Sequence, residues 1–513
     1  THVYLRQMVH GSRVEAATMN IHVDANRQII AYSSSFHTGP KPAKPPAWSP
    51  DDPAMQRSML DALRLLAVHI GRRISKHAAI EVVPQRGQSE NDVKYRVAKV
   101  PFATEPIAVR RMFIHTKGSR LDLAWEFTVK LAVDHICAHV SVDRPRVLAL
   151  FNWADRYTYK AIPVTDRNIL TSRVRLIKDP EKAFAPDYDW HTVEGVRYST
   201  LSGNNAFIAD WRGHTAIEGS NGQFIFPFNS PDNYAKGAAV NAFYVVNAMH
   251  DLFSKYGFTE PKGNFQQYNF KRGGIEKDPV EIYVQDPGVP NNAVFTTPPD
   301  GQSGVLRLGI VSIGYPPLDI AWCNELIVHE VTHGLVRRSI GSTRNSNVLG
   351  TTEARGLSEG WCDFVSVWVR LDERTDPMAA IPFTTFLPFT TRHYPLSLDR
   401  HTNPLTYRHL QLLALYNKKH TIGTIWCTML YEVYWALVRR LGFTREKNEP
   451  SLEYGNTLTL KLMIYALAVT DEHPTFINAR DMILLSERVL TRKAYHCDIW
   501  RAFASRGLGF SAK

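Results

Sequence analysis

Cysteine is scarce in this chain, and the arrangement of the few present is informative. Cys137, Cys323, Cys362, Cys427 and Cys497 are the five in 513 residues. They form no CxxC pair, which argues against a thiolate zinc site of the ribbon or finger kind. They are too few and too far apart for a dense disulfide framework, and their odd number leaves at least one free thiol. Long apolar runs are also lacking. None reaches the roughly 18 uncharged residues of a membrane-spanning helix. The apolar stretch Leu458 to Val469 is short, contains Lys461 and reads as a buried helix. There is no Asn-x-Ser/Thr sequon free of proline and no internal repeat. The chain starts at Thr1, with no charged segment followed by an apolar one, so a targeting segment is expected either to have been removed or to lie outside this sequence.

Acidic residues are in deficit, 49 against 60 Lys and Arg, for a formal charge of +11. A nucleic-acid binder is one reading of that balance. The basic residues are scattered, however, and form no stripe with interleaved aromatics. A basic solvated surface is the expectation, with neither nucleic acid nor membrane as a partner.

What is present suggests several regions. Residues 1 to about 38 alternate apolar and polar side chains, as in Met19-Asn20-Ile21-His22-Val23, which predicts strands. A linker with Pro40, Pro42, Pro45, Pro46 and Pro50 follows. Asp52 and Pro53 then open a helix, and Met55, Met59, Leu63, Leu66 and Ile70 mark its buried face. Strand patterns return from Val93 to Val164. The first 165 residues therefore read as an α+β module with its own core. Beyond a turn-rich stretch, a helix is expected over Val240–Lys255, a strand over Val280–Val284, and a strand, Pro-rich turn and strand over Asn291–Ile313. Helical patterns dominate from Trp322 onward.

The strongest signal is His329-Glu330-Val331-Thr332-His333. On a helix, positions i and i+4 share a face, so two imidazoles can reach one ion. A catalytic zinc takes three protein ligands and keeps one open position. The glutamate between the histidines can take a proton from the water at that position. Gly334 is unfavourable inside a helix and suggests close packing beside the site. Motifs of this length also arise by chance, and two histidines on a solvated helix face are the plain alternative.

Further residues support the metal reading. Glu359, at the expected start of an apolar helix through Trp361, Phe364, Val365 and Trp368, supplies a third ligand. An ordinary first-turn glutamate is the alternative there. Asp363, one turn on, could accept the free N–H of a ligating histidine. His420, just before another apolar helix, could stabilise an oxyanion; a surface histidine would explain it equally simply. One zinc per chain is implied. Peptide-bond hydrolysis would use a zinc-activated water with Glu330 as general base.

The chain resembles the fungalysins, secreted fungal zinc metalloendopeptidases related to thermolysin. Thr1-His2-Val3-Tyr4-Leu5-Arg6-Gln7 is similar to the start of their propeptide. Phe151-Asn152-Trp153-Ala154-Asp155 with Tyr159 is similar to its end. Tyr244 to Asp251, Thr297-Pro298-Pro299-Asp300-Gly301-Gln302-Ser303-Gly304, Pro474-Thr475-Phe476 and Arg506-Gly507-Leu508-Gly509 resemble segments of the mature enzyme. The resemblance implies an α+β architecture in which a propeptide module (1–165) precedes a thermolysin-like two-lobe unit. A β-rich N-terminal lobe (166–320) would meet a helical C-terminal lobe (321–513), with the zinc helix at the cleft.

The same resemblance implies His329, His333 and Glu359 as ligands, Glu330 as base, and Asn292 and Ala293 in an edge strand that pairs with substrate backbone. It also implies a secreted, extracellular monomer that acts on proteins and peptides and is held inactive by its own propeptide. The chain departs from the family at Cys362, where serine is usual, at Thr421, where an acidic residue is common, and at Arg355 and Ser358 before Glu359. Cys497 matches a family half-cystine, but Glu472 and His473 stand where its partner would lie. These departures leave a second reading: a catalytically impaired homologue acting as a binding or inhibitory protein.

Overall fold

A computed structural model describes the chain except residues 1, 25–26, 46–50, 76, 86–92, 117–119, 132–134, 153–156, 182–189, 210–216, 221, 342–344, 346, 390, 414–418 and 513. Thr1, Pro46, Pro50, Trp153, Ala154 and Asp155, named above, lie outside the described residues. The chain divides into two compact units, Thr1–Asp155 and Arg156–Lys513.

The first unit is built on a nine-stranded sheet. Its strands are β1 (His2–Val9), β2 (Ser12–Val23), β3 (Ile29–Ser34), β4 (Glu81–Gln85), β5 (Lys94–Ala98), β6 (Ile107–Thr116), β7 (Arg120–Lys130), β8 (His135–Ser141) and β9 (Val147–Asn152). The strands β6 to β9 follow one another in antiparallel order. One helix, α1 (Pro53–His69), packs on the sheet. Asp52 caps it by accepting from the Ala54 amide, and Pro53 fills the first turn, where its missing N–H costs nothing. Met55, Met59, Leu63 and Leu66 are buried in one cluster with Trp125, Phe127, Ile136 and Val140. Each fully buried apolar side chain of this size stabilises the fold by about 1.5–3 kcal/mol.

The second unit begins earlier than the boundary expected at residue 165. Strand Thr158–Ala161 pairs with Arg175–Lys178 and with Gln223–Phe224. Tyr159 is fully buried and packs among Trp190, Phe224 and Phe243. These residues continue the strand-like pattern of the first module, so periodicity alone hides the change of core. Helix α2 (Pro231–Tyr256) also starts before the expected Val240. Ser230 caps it by accepting from Asn233, Pro231 follows, and its polar first turns carry no apolar stripe. Gly257, at φ 119°, ends it in the left-handed conformation.

A four-stranded sheet runs in the order Ala206–Ile208, Val280–Val284, Val305–Leu308, Ala293–Thr296. The last pairs antiparallel with Val305–Leu308 and is the edge strand. The remaining long helices are α3 (Asn324–Ser339), α4 (Thr352–Arg370), α5 (Lys419–Leu441), α6 (Gly455–Ala468), α7 (Phe476–Thr491) and α8 (His496–Ser505).

Polar anchors fix the start of α3. Asn241 of α2 accepts from the Ile162 amide and donates to Asn324. Glu325 is buried, with Arg167 at 2.7 Å, Asn168 at 2.9 Å and Arg370 at 3.4 Å. A carboxylate so enclosed is tolerable only because these donors satisfy it.

Candidate active site and metal centre

Helix α3 brings His329 and His333 to one side, with ring centroids 4.9 Å apart. Ile327, Val328, Val331, Leu335 and Val336 are buried around them. A Cβ at Gly334 would lie 2.9 Å from both Phe265 and Phe295. The absent side chain therefore lets the edge strand carrying Phe295 approach the helix.

Helix α4 supplies the third expected ligand, Glu359, from its middle. It begins at Thr352, where Thr351 caps it by accepting from Ala354, so Glu359 does not sit at a helix start. The reason lies in packing. A Cβ at Gly360 would come within 2.6 Å of the Gly423 carbonyl, and one at Gly423 within 2.6 Å of the Glu359 Cβ. Helices α4 and α5 thus cross backbone to backbone, with Glu359 in the middle of α4 at the crossing. The same crossing sets Lys419 and His420, in the first turn of α5, beside Glu359.

Around Glu359 the distances are short. His329 Nε2 is 3.3 Å from Oε2, His333 Nε2 is 3.8 Å from Oε1, and His420 Nε2 is 3.4 Å from Oε2. Two donors each about 2.0–2.1 Å from a tetrahedral centre stand about 3.3–3.4 Å apart. The His329–Glu359 separation is that of two donors on one zinc, and the wider His333–Glu359 separation needs an adjustment at His333; the three donors that already lie within 4.8 Å of one another here are His329, His333 and Cys362. The other ring nitrogens are oriented from behind. His329 Nδ1 lies 2.9 Å from Asp363 Oδ1, and His333 Nδ1 lies 3.0 Å from Ser358 Oγ and 3.3 Å from Cys362 Sγ.

Sequence reasoning missed two cations. Arg392 grips Asp363 through Nε (2.5 Å) and Nη2 (2.8 Å), and Nη2 also reaches Glu359 at 3.3 Å. Lys419 Nζ lies 2.7 Å from Glu359 Oε1. Nothing local marks Arg392, which lies in an irregular segment. The need of a buried Asp363 for a counter-charge was the only signal that pointed to such a residue.

Glu330 is in a different situation. It is buried, and desolvation pushes its carboxyl up to about 7, against the pull of His329, Lys419 and the Phe295 amide. For Glu359, burial also favours the neutral form, but contacts with His329, His333 and His420 outweigh it and hold the carboxyl well below the usual range. All these groups line a cleft of about 330 Å³ together with Asn292, Ala293, Arg337 and Arg355. The edge-strand residues expected to meet substrate and the residues expected to bind metal therefore line the same cavity.

Residues 158–512 match the family model described as fungalysin metallopeptidase (M36), and residues 1–36 match the fungalysin/thermolysin propeptide motif. The chain is 30% identical to extracellular metalloproteinase 1 of Arthroderma gypseum, over all of this chain and 82% of that protein. Identity and coverage are the same for extracellular metalloproteinase 5 of Trichophyton rubrum and extracellular metalloproteinase 10 of Uncinocarpus reesii. No described helix is long and apolar enough to cross a membrane.

Proposed function

The chain belongs to the fungalysin metallopeptidases and is a metalloendopeptidase carrying a propeptide motif, and from that premise we propose that it cleaves protein and peptide substrates with one zinc held by His329, His333 and Glu359. The observation that carries this reading is the convergence of His329 Nε2 and Glu359 Oε2 at 3.3 Å, with Glu330 in the same cleft.

Zinc held by these residues would supply the Lewis acid that polarises the scissile carbonyl and acidifies the attacking water. Glu330 takes the proton from that water and passes it to the leaving amine; an affinity near neutrality suits both transfers. His420 faces the oxyanion that develops on the carbonyl. Asn292 and Ala293 pair with the substrate backbone along the free side of the edge strand. Asp363, itself held by Arg392, keeps the His329 ring in its tautomer and orientation.

In this reading the β-rich lobe, expected over 166–320, also takes in strand Thr158–Ala161, 321–513 is the helical lobe, and α3 lies at the cleft between them. The module at the N-terminus chaperones folding and keeps the enzyme inactive until it is removed. The enzyme acts as a monomer, and outside the cell, the latter in keeping with the names of its relatives.

The test is zinc content alongside casein cleavage for the propeptide-free protein and its Glu330→Gln variant. One zinc in both, with cleavage lost only in the variant, is expected. Zinc without cleavage in the unmodified enzyme would favour the impaired homologue, and no zinc would overturn the ligand assignment.

A further inference from the structure

The first unit gathers a carboxylate, a thiol and an imidazole at one place on its sheet. Alternation along β7 and β8 sends Trp125, Phe127, Ile136, Ala138 and Val140 into the core beneath α1. The intervening residues face the opposite side of the sheet. There Glu126 stands in register with His139, and Cys137 follows two residues away on the same face. One carboxylate oxygen, one imidazole nitrogen and the Cys137 sulfur all lie within 4.8 Å of one another.

Cys137 is 2% exposed and His139 is 0% exposed. His139 Nε2 lies 3.4 Å from Glu126 Oε2, yet neither ring nitrogen has a hydrogen-bond partner among the described residues. Leaving a buried polar group unsatisfied is costly enough that native structures rarely do so without cause.

We propose that Glu126, Cys137 and His139 form a binding site for a divalent transition metal, best suited to zinc. The donor set decides the class. Calcium and magnesium take oxygen ligands, whereas thiolate with imidazole selects zinc and its neighbours. Charge decides the valence. One carboxylate, one thiolate and a neutral imidazole sum to −2, which a divalent ion balances, and the nearby Glu15 and Arg110, the latter in register with Glu126, add one charge of each sign. On binding, the Cys137 S–H bond breaks, a sulfur–metal bond forms, and the proton leaves to solvent. Three protein donors leave one position for water, and the Glu126 side chain, 18% exposed, marks the open side. The ion would tie β7 to β8 and stabilise the folded unit in proportion to its occupancy.

The test uses the 513-residue chain carrying His329→Ala, His333→Ala and Cys497→Ser, which removes the histidine pair of α3 and the exposed thiol. After dialysis against zinc, this background retains one zinc per chain. With cobalt in place of zinc it shows the thiolate-to-metal charge-transfer absorption. Adding Cys137→Ser abolishes both, while the circular dichroism of the metal-free protein stays unchanged. Adding Cys137→His instead retains zinc and loses only the sulfur absorption, which guards against a variant that merely misfolds. Absence of zinc from the background, or zinc and absorption that survive Cys137→Ser, would overturn the proposal.

Discussion

Helices α3 and α4 each bury a glutamate in the same cleft, and the two carboxyls are driven in opposite directions. Desolvation acts on both. At Glu359 it is outweighed by His329, His333 and His420, with Lys419 and Arg392 also in contact. At Glu330 it wins, and the carboxyl rises to about 7. Burial alone therefore does not set the charge of a carboxyl; its neighbours do. A group that stays ionised suits a metal ligand, and one poised near neutrality suits proton transfer. In the proposed reading, the separation of the two affinities matches the roles of base and ligand.

The largest effects come from exchanging each carboxyl for its amide. Glu330→Gln is expected to lower kcat/KM by about 10²–10⁴-fold, the usual contribution of a general base, with zinc retained. Glu359→Gln should instead release zinc, with activity lost as a consequence. Peptide-cleavage kinetics together with metal analysis distinguish the two. If both variants lost zinc, the contrast between ligand and base would collapse.

Next in size is the support behind Glu359. Removing Arg392, as in Arg392→Leu, leaves Asp363 buried without its strongest counter-charge and takes one further cation from Glu359. Breaking a buried ion pair from one side costs about 3–5 kcal/mol. Urea unfolding of the metal-free protein should show a loss of that order, and zinc affinity should fall about 10–100-fold as the hold on Asp363 and His329 loosens. A surface-like effect below about 1 kcal/mol would mean that solvent already screens the cluster.

The raised carboxyl of Glu330 has a consequence of its own for stability. Its folded affinity lies near 7 and its ordinary value is 4.5. Between these values the folded state holds the proton and the unfolded state does not. Stability of the metal-free protein therefore falls as pH rises across that window, by roughly 1.4 kcal/mol for each step of one in pH. Glu330→Gln should remove that slope and stabilise the metal-free chain at pH 8 by about 1–3 kcal/mol. Denaturant titrations at pH 5 and pH 8 would check it; a variant no more stable than its parent at pH 8 would place the carboxyl near its ordinary affinity.

Sequence periodicity reached some of these features and not others. The i and i+4 histidines of α3 are legible because helix geometry alone puts them on one face. The proximity of Asp363 to His329 follows from one more turn of the same geometry on α4. Gly334 announces tight packing, and Phe265 and Phe295 are what it packs against. The start of α4 is half legible: Thr351 is a capping residue and Glu353, Ala354 and Arg355 favour a helix, but Gly356 and Gly360 interrupt the run, and they sit where the helix crosses α5. Arg392 is not legible either, since an irregular segment brings it to Asp363 across 29 residues. The boundary between the two units is hidden because the strand at Thr158–Ala161 continues a pattern while changing its core partners.

The smallest expected effect tests how finely Glu359 is tuned. Lys419 touches Glu359 Oε1, but its side chain is 51% exposed. An exposed ion pair is worth about 0.2–1 kcal/mol, because water screens it and the long side chain is free to turn away. A positive charge on a ligand carboxylate competes with a bound cation. Lys419→Met should therefore tighten zinc binding by about two- to five-fold, read by competition with a chelator of known affinity. Unchanged affinity would mean that the lysine already swings into solvent when metal enters. Weaker binding would reverse its role: the lysine would then hold Glu359 in position for the metal, and the strong ionisation of that carboxyl would depend on a contact made from the solvent side of the cleft.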